Sequence, residues 1–534
     1  MRTRRWLLLI WVCFLLRGCF YACMLPVWEG YDEFAHFGVI RAAALHGVLL
    51  APRDQRGPRD VEESLDLVPI PWGVHTWEVF HSGVTHEQFW SLPEAERRDR
   101  DIRLHAIPRA WQWQESNRIS AYEAYQPPLY YWLMAPLLFV LKGSSLLAQA
   151  LVLRCISVAI ASAAIPSAFA VSLAVVPRKS VALGCAALIS VMPEFATNAA
   201  RISNESVAIL LFSLLVCIGL RLLVRNPDLP TALLLGTVLG LGLLTKAYFL
   251  AAVPPVFLLL ICRFRRTWKP IVTSAAIAAA LSGWWYIRNE VNTGTLTGLA
   301  EPVALNGRSL SSLVDATRHV PWLHGIDVTL LSHLYFCGWS GLTLRSWMYH
   351  VFFVMAILAV VGVVIHLRRP SVLWLTGIYG FFWIGELYNV WLQYLTKNLS
   401  GSMGWYMYAV IVPEIVLCAF AAPARLRAWA VSVAAILFAT VDLYAMHCVA
   451  IPYYTGLIAH RANSNALAAV HLGAYRTLGF GVIFDRLAVN KWAPITSGVL
   501  IAQWVLYLVA TILLGAISVG LARKRENGGE PGAR

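Results

Sequence analysis

The chain has 534 residues, 58% of them hydrophobic and only 13% charged, where a soluble domain carries about 25% charged residues. So little charge over such a length excludes a soluble globular enzyme and places most of the chain in lipid. The 43 Lys+Arg against 29 Asp+Glu do not gather into the basic face of a nucleic-acid binder; they punctuate apolar runs, the pattern that orients membrane helices. The expected partner is a lipid bilayer, and no nucleic acid.

Met1-Arg2-Thr3-Arg4-Arg5 precedes an apolar run from Trp6 to Leu25, interrupted by Arg17. No small-x-small cleavage site follows, so an uncleaved anchor with its basic end in the cytoplasm is expected. Residues 26–126 are polar and Trp-rich and read as a large first external loop. The loop opens on Trp28-Glu29-Gly30-Tyr31-Asp32-Glu33-Phe34-Ala35-His36-Phe37, where two carboxylates, an imidazole and several aromatics stand at the mouth of a span. An acidic pair there can act as a general base or hold a metal. The plainer alternative is that Asp32 N-caps a short helix from Glu33 to about Leu45.

The loop closes on Gln126-Pro127-Pro128-Leu129-Tyr130-Tyr131-Trp132. The segment 129–141 is too short to cross about 30 Å of hydrocarbon and is expected to lie at the interface. Further spans are predicted at 146–176, 181–197, 205–224, 231–247, 248–262, 271–288, 347–366, 371–391, 405–421, 428–447 and 498–521, which with the first makes about twelve. Seven basic clusters, from Arg4/Arg5 to Arg523/Lys524/Arg525, fall at alternate connections. With twelve spans all seven lie in the cytoplasm, as do both termini. The tail 526–534 is expected to be disordered. The long connections 26–126, 289–346 and 448–497 are then external, with any chemistry on that face of what is expected to be a bacterial inner or plasma membrane.

Other external features have ordinary readings when taken singly. Lys246 in Leu244-Thr245-Lys246 suits a snorkelling anchor, and Trp284-Trp285-Tyr286 with Arg288-Asn289 suits an aromatic belt. Arg201, Asn204 and Glu205 suit a helix cap. Together they bring carboxylates and three cations to one membrane face, an arrangement that fits an anionic phosphate. Glu386 and Asp442 are costly within spans and face either a cavity or a structural partner. The ten cysteines read as small buried hydrophobes, and only Cys337 and Cys448, both external, are placed to pair.

In order and sidedness, these motifs resemble the GT-C glycosyltransferases, a superfamily that takes sugars from polyprenyl-phosphate carriers. Residues 31–37, 126–131, 244–246 and 283–289 carry the likeness, with Gly404-Trp405-Tyr406 more distantly. Two positions depart from the pattern: neutral Gln126 stands where a Lys or His often precedes Pro-Pro-Leu, and Trp405 where Arg often precedes Tyr. The resemblance implies an all-α polytopic fold with interfacial helices in the first external loop, and an inverting transfer of a hexosyl or pentosyl group. The donor would be a polyprenyl-phosphate sugar, and the acceptor hydroxyl would belong to a protein, lipid or polysaccharide.

Asp32 would be the general base, with Glu33 positioning the acceptor or a metal. Lys246, Arg288 and Arg201 would stabilise the departing phosphate. His36, Gln126, Tyr130, Tyr131, Asn204, Glu205, Trp285, Asn289 and Tyr406 would line the substrate site. No pattern demands a metal, although Asp32, Glu33 and His36 are of ligand type. Two alternatives stand beside this: a transporter or flippase of a lipid-linked sugar, and a non-catalytic binder of such lipids in envelope assembly.

Overall fold

A computed structural model of the chain describes residues 2–47, 56–80, 83–109, 111–399, 401–461 and 466–523. The expected disordered tail lies outside them. The fold is helical, and each of the twelve expected spans falls on helix over most of its length. Among the described residues, eight helices are long and apolar enough to cross a bilayer, from Thr3–Met24 to Ser497–Arg523. A ninth candidate is the pair Lys179–Val191 and Pro193–Ala199, bent by 65°. Pro193 begins the second of these helices, where its missing N–H costs nothing because the first amides of a helix lack intrahelical acceptors. Leu229–Leu243 and Ala247–Arg263 are apolar but short, and Pro370–Lys397 is 28 residues long. The count of twelve therefore mixes full spans with short and bent ones.

Buried charge inside the bundle is neutralised locally. Arg17, which interrupts the first apolar run, lies 2.8 Å from Asp442 with both side chains fully buried. Tyr21 and Tyr507 donate to the same carboxylate at 2.6 and 2.7 Å. This ties the first helix to Arg427–Tyr444 and to Ser497–Arg523. Asp442 thus has structural partners on two neighbouring helices.

The first loop holds the helices Glu33–His46, Arg59–Leu67, His86–Ser91 and Glu94–Ala106. It also contains two small sheets that the sequence did not suggest: Arg56–Pro58 runs antiparallel to Glu115–Ser120, and Pro69–Ile70 parallel to Val84–Thr85. The helix Leu129–Val140 buries Tyr130, Tyr131, Met134 and Leu138 and leaves Leu133, Leu137, Phe139 and Val140 exposed. One face packs on protein while the other is apolar and open, which suits a helix bordering lipid. Its start is fixed by the Leu129 amide donating to the Leu244 carbonyl at 3.0 Å, which brings the Pro127-Pro128 turn against the Lys246 turn. Cys337 and Cys448 are both free thiols, so the expected pairing is absent.

Candidate functional site

The acidic stretch after the first helix is held in an unusual conformation. Trp28 and Asp32 both occupy the left-handed region, with φ of 64° and 55°. Such residues cost of order 1–3 kcal/mol each and persist only where their surroundings fix them. Trp28 is held by its indole N–H donating to Ser64 at 2.8 Å. Gly30 allows Arg201 to approach: a Cβ at position 30 would lie 2.8 Å from the Arg201 Cβ. Asp32 stands at the N-cap of Glu33–His46, yet its carboxylate accepts no capping bond from the helix. The expected cap is therefore not formed. Instead Tyr122 donates to Asp32 Oδ1 at 2.6 Å, and the residue stays partly accessible. Burial raises the Asp32 carboxyl above its ordinary value, while the Tyr122 bond and then Arg201, Lys246 and Lys397 pull it back.

Glu33 faces the other way. Arg154 donates to both of its oxygens, at 2.6 and 2.5 Å, and the Ile202 amide adds a third bond at 3.1 Å. Arg154 also reaches the carbonyls of Ala22, Leu25 and Pro26. With every Glu33 contact turned into protein and no exposed surface, the expected contact with an acceptor or metal is replaced by an anchor. Glu33 locks the helix that carries Asp32 onto the end of the first span and the 201–205 turn. Among the described residues, no group of three or more His, Cys, Asp or Glu is arranged as a metal cage, and Glu33 does not join Asp32 and His36 in one.

The cations gather near Asp32. Lys246 pairs closely with Glu205 and sits over the rings of Tyr406 and Tyr248, at 4.9 and 5.2 Å. Tyr248 donates to the other Glu205 oxygen at 2.6 Å. Arg201 lies over Tyr31 at 5.0 Å and over Trp405 at 5.7 Å, and Tyr31 and Trp405 stack with centroids 3.5 Å apart. Its Nη1 donates to the Tyr31 carbonyl at 3.2 Å. Its Nε and Nη2 are buried without a hydrogen-bond partner, and both side-chain ends of Asn204 share that condition, although Nη2 lies 3.9 Å from Glu205 Oε1. Buried donors left without a hydrogen bond cost about 1–3 kcal/mol each.

His36 and Tyr131 meet at 2.9 Å beside Glu123, a residue not singled out from the sequence. Gln126 lies nearby in sequence with its Oε1 buried and unpaired, and Tyr130 is fully buried. The 284–289 belt is less tied to this centre. Arg288 lies 4.7 Å over the Trp285 ring. Trp284 stacks parallel to Trp132 at 6.1 Å, and Asn289 donates to the Thr297 carbonyl at 2.8 Å, fastening its own loop. Asp32, His36, Arg201, Glu205, Lys246 and Tyr406 are therefore brought together, whereas Asn289 serves its loop and Arg288 lies over Trp285. Tyr122, Glu123, Arg154, Tyr248 and Lys397 were missed. Tyr122 and Glu123 lie five and four residues before Pro127, and that proximity was the available signal.

No family model matches the chain, and no curated protein matches it. Among solved structures, the chain is similar to ArnT from Cupriavidus metallidurans in the apo state, at 13% identity and a TM-score of 0.39. That match covers 91% of this chain and 76% of ArnT. The form of ArnT bound to undecaprenyl phosphate gives 13% identity and a TM-score of 0.40, covering 91% and 77%. The archaeal oligosaccharyltransferase AglB from Archaeoglobus fulgidus, in complex with an inhibitory peptide and a dolichol-phosphate, gives 13% identity and a TM-score of 0.29. That match covers 92% of this chain and 56% of AglB.

Proposed function

We propose that the chain is a membrane glycosyltransferase that moves a sugar from a polyprenyl-monophosphate carrier to an acceptor hydroxyl at the external membrane face. One observation carries this reading. The buried Arg201 guanidinium keeps Nε and Nη2 without a hydrogen bond, Nη2 lying 3.9 Å from Glu205, within electrostatic reach of the partly open Asp32 carboxylate. A cationic donor set opposite a carboxylate is what a displacement at an anomeric carbon requires: a base for the incoming hydroxyl and a sink for the departing phosphate.

In this mechanism Asp32 Oδ2 takes the proton of the acceptor hydroxyl as its oxygen bonds to the anomeric carbon. The bond from that carbon to the phosphate oxygen breaks, and the electron pair stays on the phosphate. Arg201 and Lys246 meet the growing negative charge in a site with little water, where fixed donors act most strongly. Attack opposite the leaving group inverts the anomeric centre. Tyr122 holds Asp32 by one oxygen and leaves the other for the acceptor. Glu33 acts through Arg154 as a positioning residue. Trp284 and Trp132 offer apolar faces for the isoprenoid, and Tyr406 borders the sugar, while Tyr130 and Trp285 are buried in the protein. The bent pair 179–199 is the one feature that favours a lipid-sugar carrier, since carriers place substrates at broken helices. Its turn is occupied by Glu194, which accepts from the Phe336 and Cys337 amides at 2.9 and 2.8 Å.

The test is a thermal-stability titration of the purified chain with polyprenyl monophosphate and with the corresponding neutral polyprenol. At 100 times Kd a ligand adds about 2.7 kcal/mol. The phosphate is expected to stabilise the wild type far more than the alcohol does, and Arg201→Gln is expected to abolish the difference. Equal shifts from the two lipids would refute the phosphate site.

A further inference from the structure

His36 lies one helical turn after Asp32, and its imidazole is held from one side only. Tyr131 Oη donates to the Glu123 backbone carbonyl at 3.2 Å, so it offers only lone pairs to His36 Nδ1 at 2.9 Å. Glu123 Oε2 lies 3.5 Å from the same nitrogen and has no hydrogen-bond partner. Nδ1 therefore faces an acceptor in Tyr131 Oη and carries the proton. Burial, together with Lys246 and Arg201, holds the ring well below the usual imidazole range and so neutral. A neutral ring protonated at Nδ1 leaves a lone pair on Nε2, and Nε2 has no partner. The Glu123 carboxyl is pushed up to about 8 by burial and by Asp32, with Glu205 adding to the rise and Lys246 and Arg201 opposing it. The His36–Glu123 contact is then neutral at neutral pH, not an ion pair.

We propose that Glu123 and Tyr131 are positioning residues that fix His36 as its Nδ1–H tautomer, so that Nε2 accepts a hydrogen bond from a substrate hydroxyl beside Asp32. This rests on the transfer reading and adds to it the group that orients the hydroxyl whose proton Asp32 removes. One consequence separates it from plain packing. Above about pH 8 the Glu123 proton is lost while His36 stays neutral, so Nε2 keeps its lone pair and the contribution of His36 to acceptor binding persists across that range.

The experiment compares the acceptor KM of the wild type, His36→Gln and His36→Ala at pH 7 and pH 9. It uses the full chain in lipid nanodiscs and the donor and acceptor identified by sugar transfer. His36→Ala is expected to raise KM about 2- to 10-fold at both pH values, the loss of one neutral hydrogen bond, and His36→Gln to recover part of this through its amide oxygen. An unchanged KM in His36→Ala, or an effect that vanishes at pH 9, overturns the proposal. A second readout needs no activity: the 15N spectrum of the histidine-labelled chain, with His36 assigned by difference from His36→Gln. Nδ1 is expected to carry the proton in the wild type, and Tyr131→Phe to shift it toward Nε2; an Nε2–H ring in the wild type overturns the proposal. Absence of transfer from every donor would refute the transfer reading while leaving the tautomer lock to be judged by the spectrum.

Discussion

Glu33 and Arg154 set the strength of the joint that carries Asp32, and their contacts define what each substitution removes. Glu33→Gln withdraws the charge facing Arg154 but leaves the guanidinium its bonds to the Ala22, Leu25 and Pro26 carbonyls. Breaking a buried pair costs about 3–5 kcal/mol, and the surviving bonds place this variant near 3 kcal/mol. Arg154→Met is worse. It strands a fully buried carboxylate and frees the carbonyl of Ala22, while Leu25 keeps Lys491 and Pro26 keeps the Glu29 N–H as donors. One unpaired carbonyl at about 1 kcal/mol or more, added to the stranded carboxylate, brings the cost to about 5 kcal/mol. The double variant removes the stranded charge, so the cycle should show about 2–3 kcal/mol of coupling. Equilibrium unfolding in mixed micelles, followed by tryptophan fluorescence, gives all four corners of the cycle. A Glu33→Gln protein within about 0.5 kcal/mol of wild type, or an additive cycle, would refute the anchor and return Glu33 to the substrate.

Two further expectations concern pH. Tyr122→Phe removes the hydrogen bond that lowers the Asp32 carboxyl, so Asp32 must titrate higher, and the acid limb of transfer should move to higher pH. An unmoved limb in a rate–pH profile would detach Tyr122 from Asp32. Glu123 rises from 4.5 unfolded to about 8 folded, so the native state binds more protons between these values. Its contribution to stability is therefore present at low pH and is lost as pH rises through about 8. Melting curves from pH 5 to 9 should show this decline in the wild type and a flatter profile in Glu123→Gln.

The sequence revealed the outline of the fold because lipid demands long apolar helices, and the alternating basic clusters gave the expectation that the polar connections share one external face. It could not separate full spans from short ones: Leu229–Leu243 and Ala247–Arg263 are as apolar as their neighbours, and only their length and the turn at Lys246 tell them apart. Among the site residues, those within compact motifs were legible. Asp32, Lys246 and Arg201 each interrupt an apolar setting where a charge is conspicuous. Glu123 was not, because it sits in a polar loop where a carboxylate looks ordinary, and only folding buries it against Asp32. The roles of Asp32 and Glu33 were equally hidden. Adjacent residues at a helix start point in different directions, and the choice was made by Tyr122 at 90 positions' remove and Arg154 at 121. Arg17 read as a flaw in the first span until Asp442, 425 residues later, supplied its partner.

The central claim is most directly tested by sugar transfer from a panel of radiolabelled polyprenyl-monophosphate sugars to native envelope extract. Membranes carrying wild type or Asp32→Asn at equal expression are compared. Proton transfer by a positioned base contributes roughly 10²–10⁴-fold, so transfer should be present in the wild type and fall by that range in Asp32→Asn. Transfer that proceeds unchanged in Asp32→Asn would contradict the account of the site, and no transfer by the wild type from any donor would contradict the proposed activity.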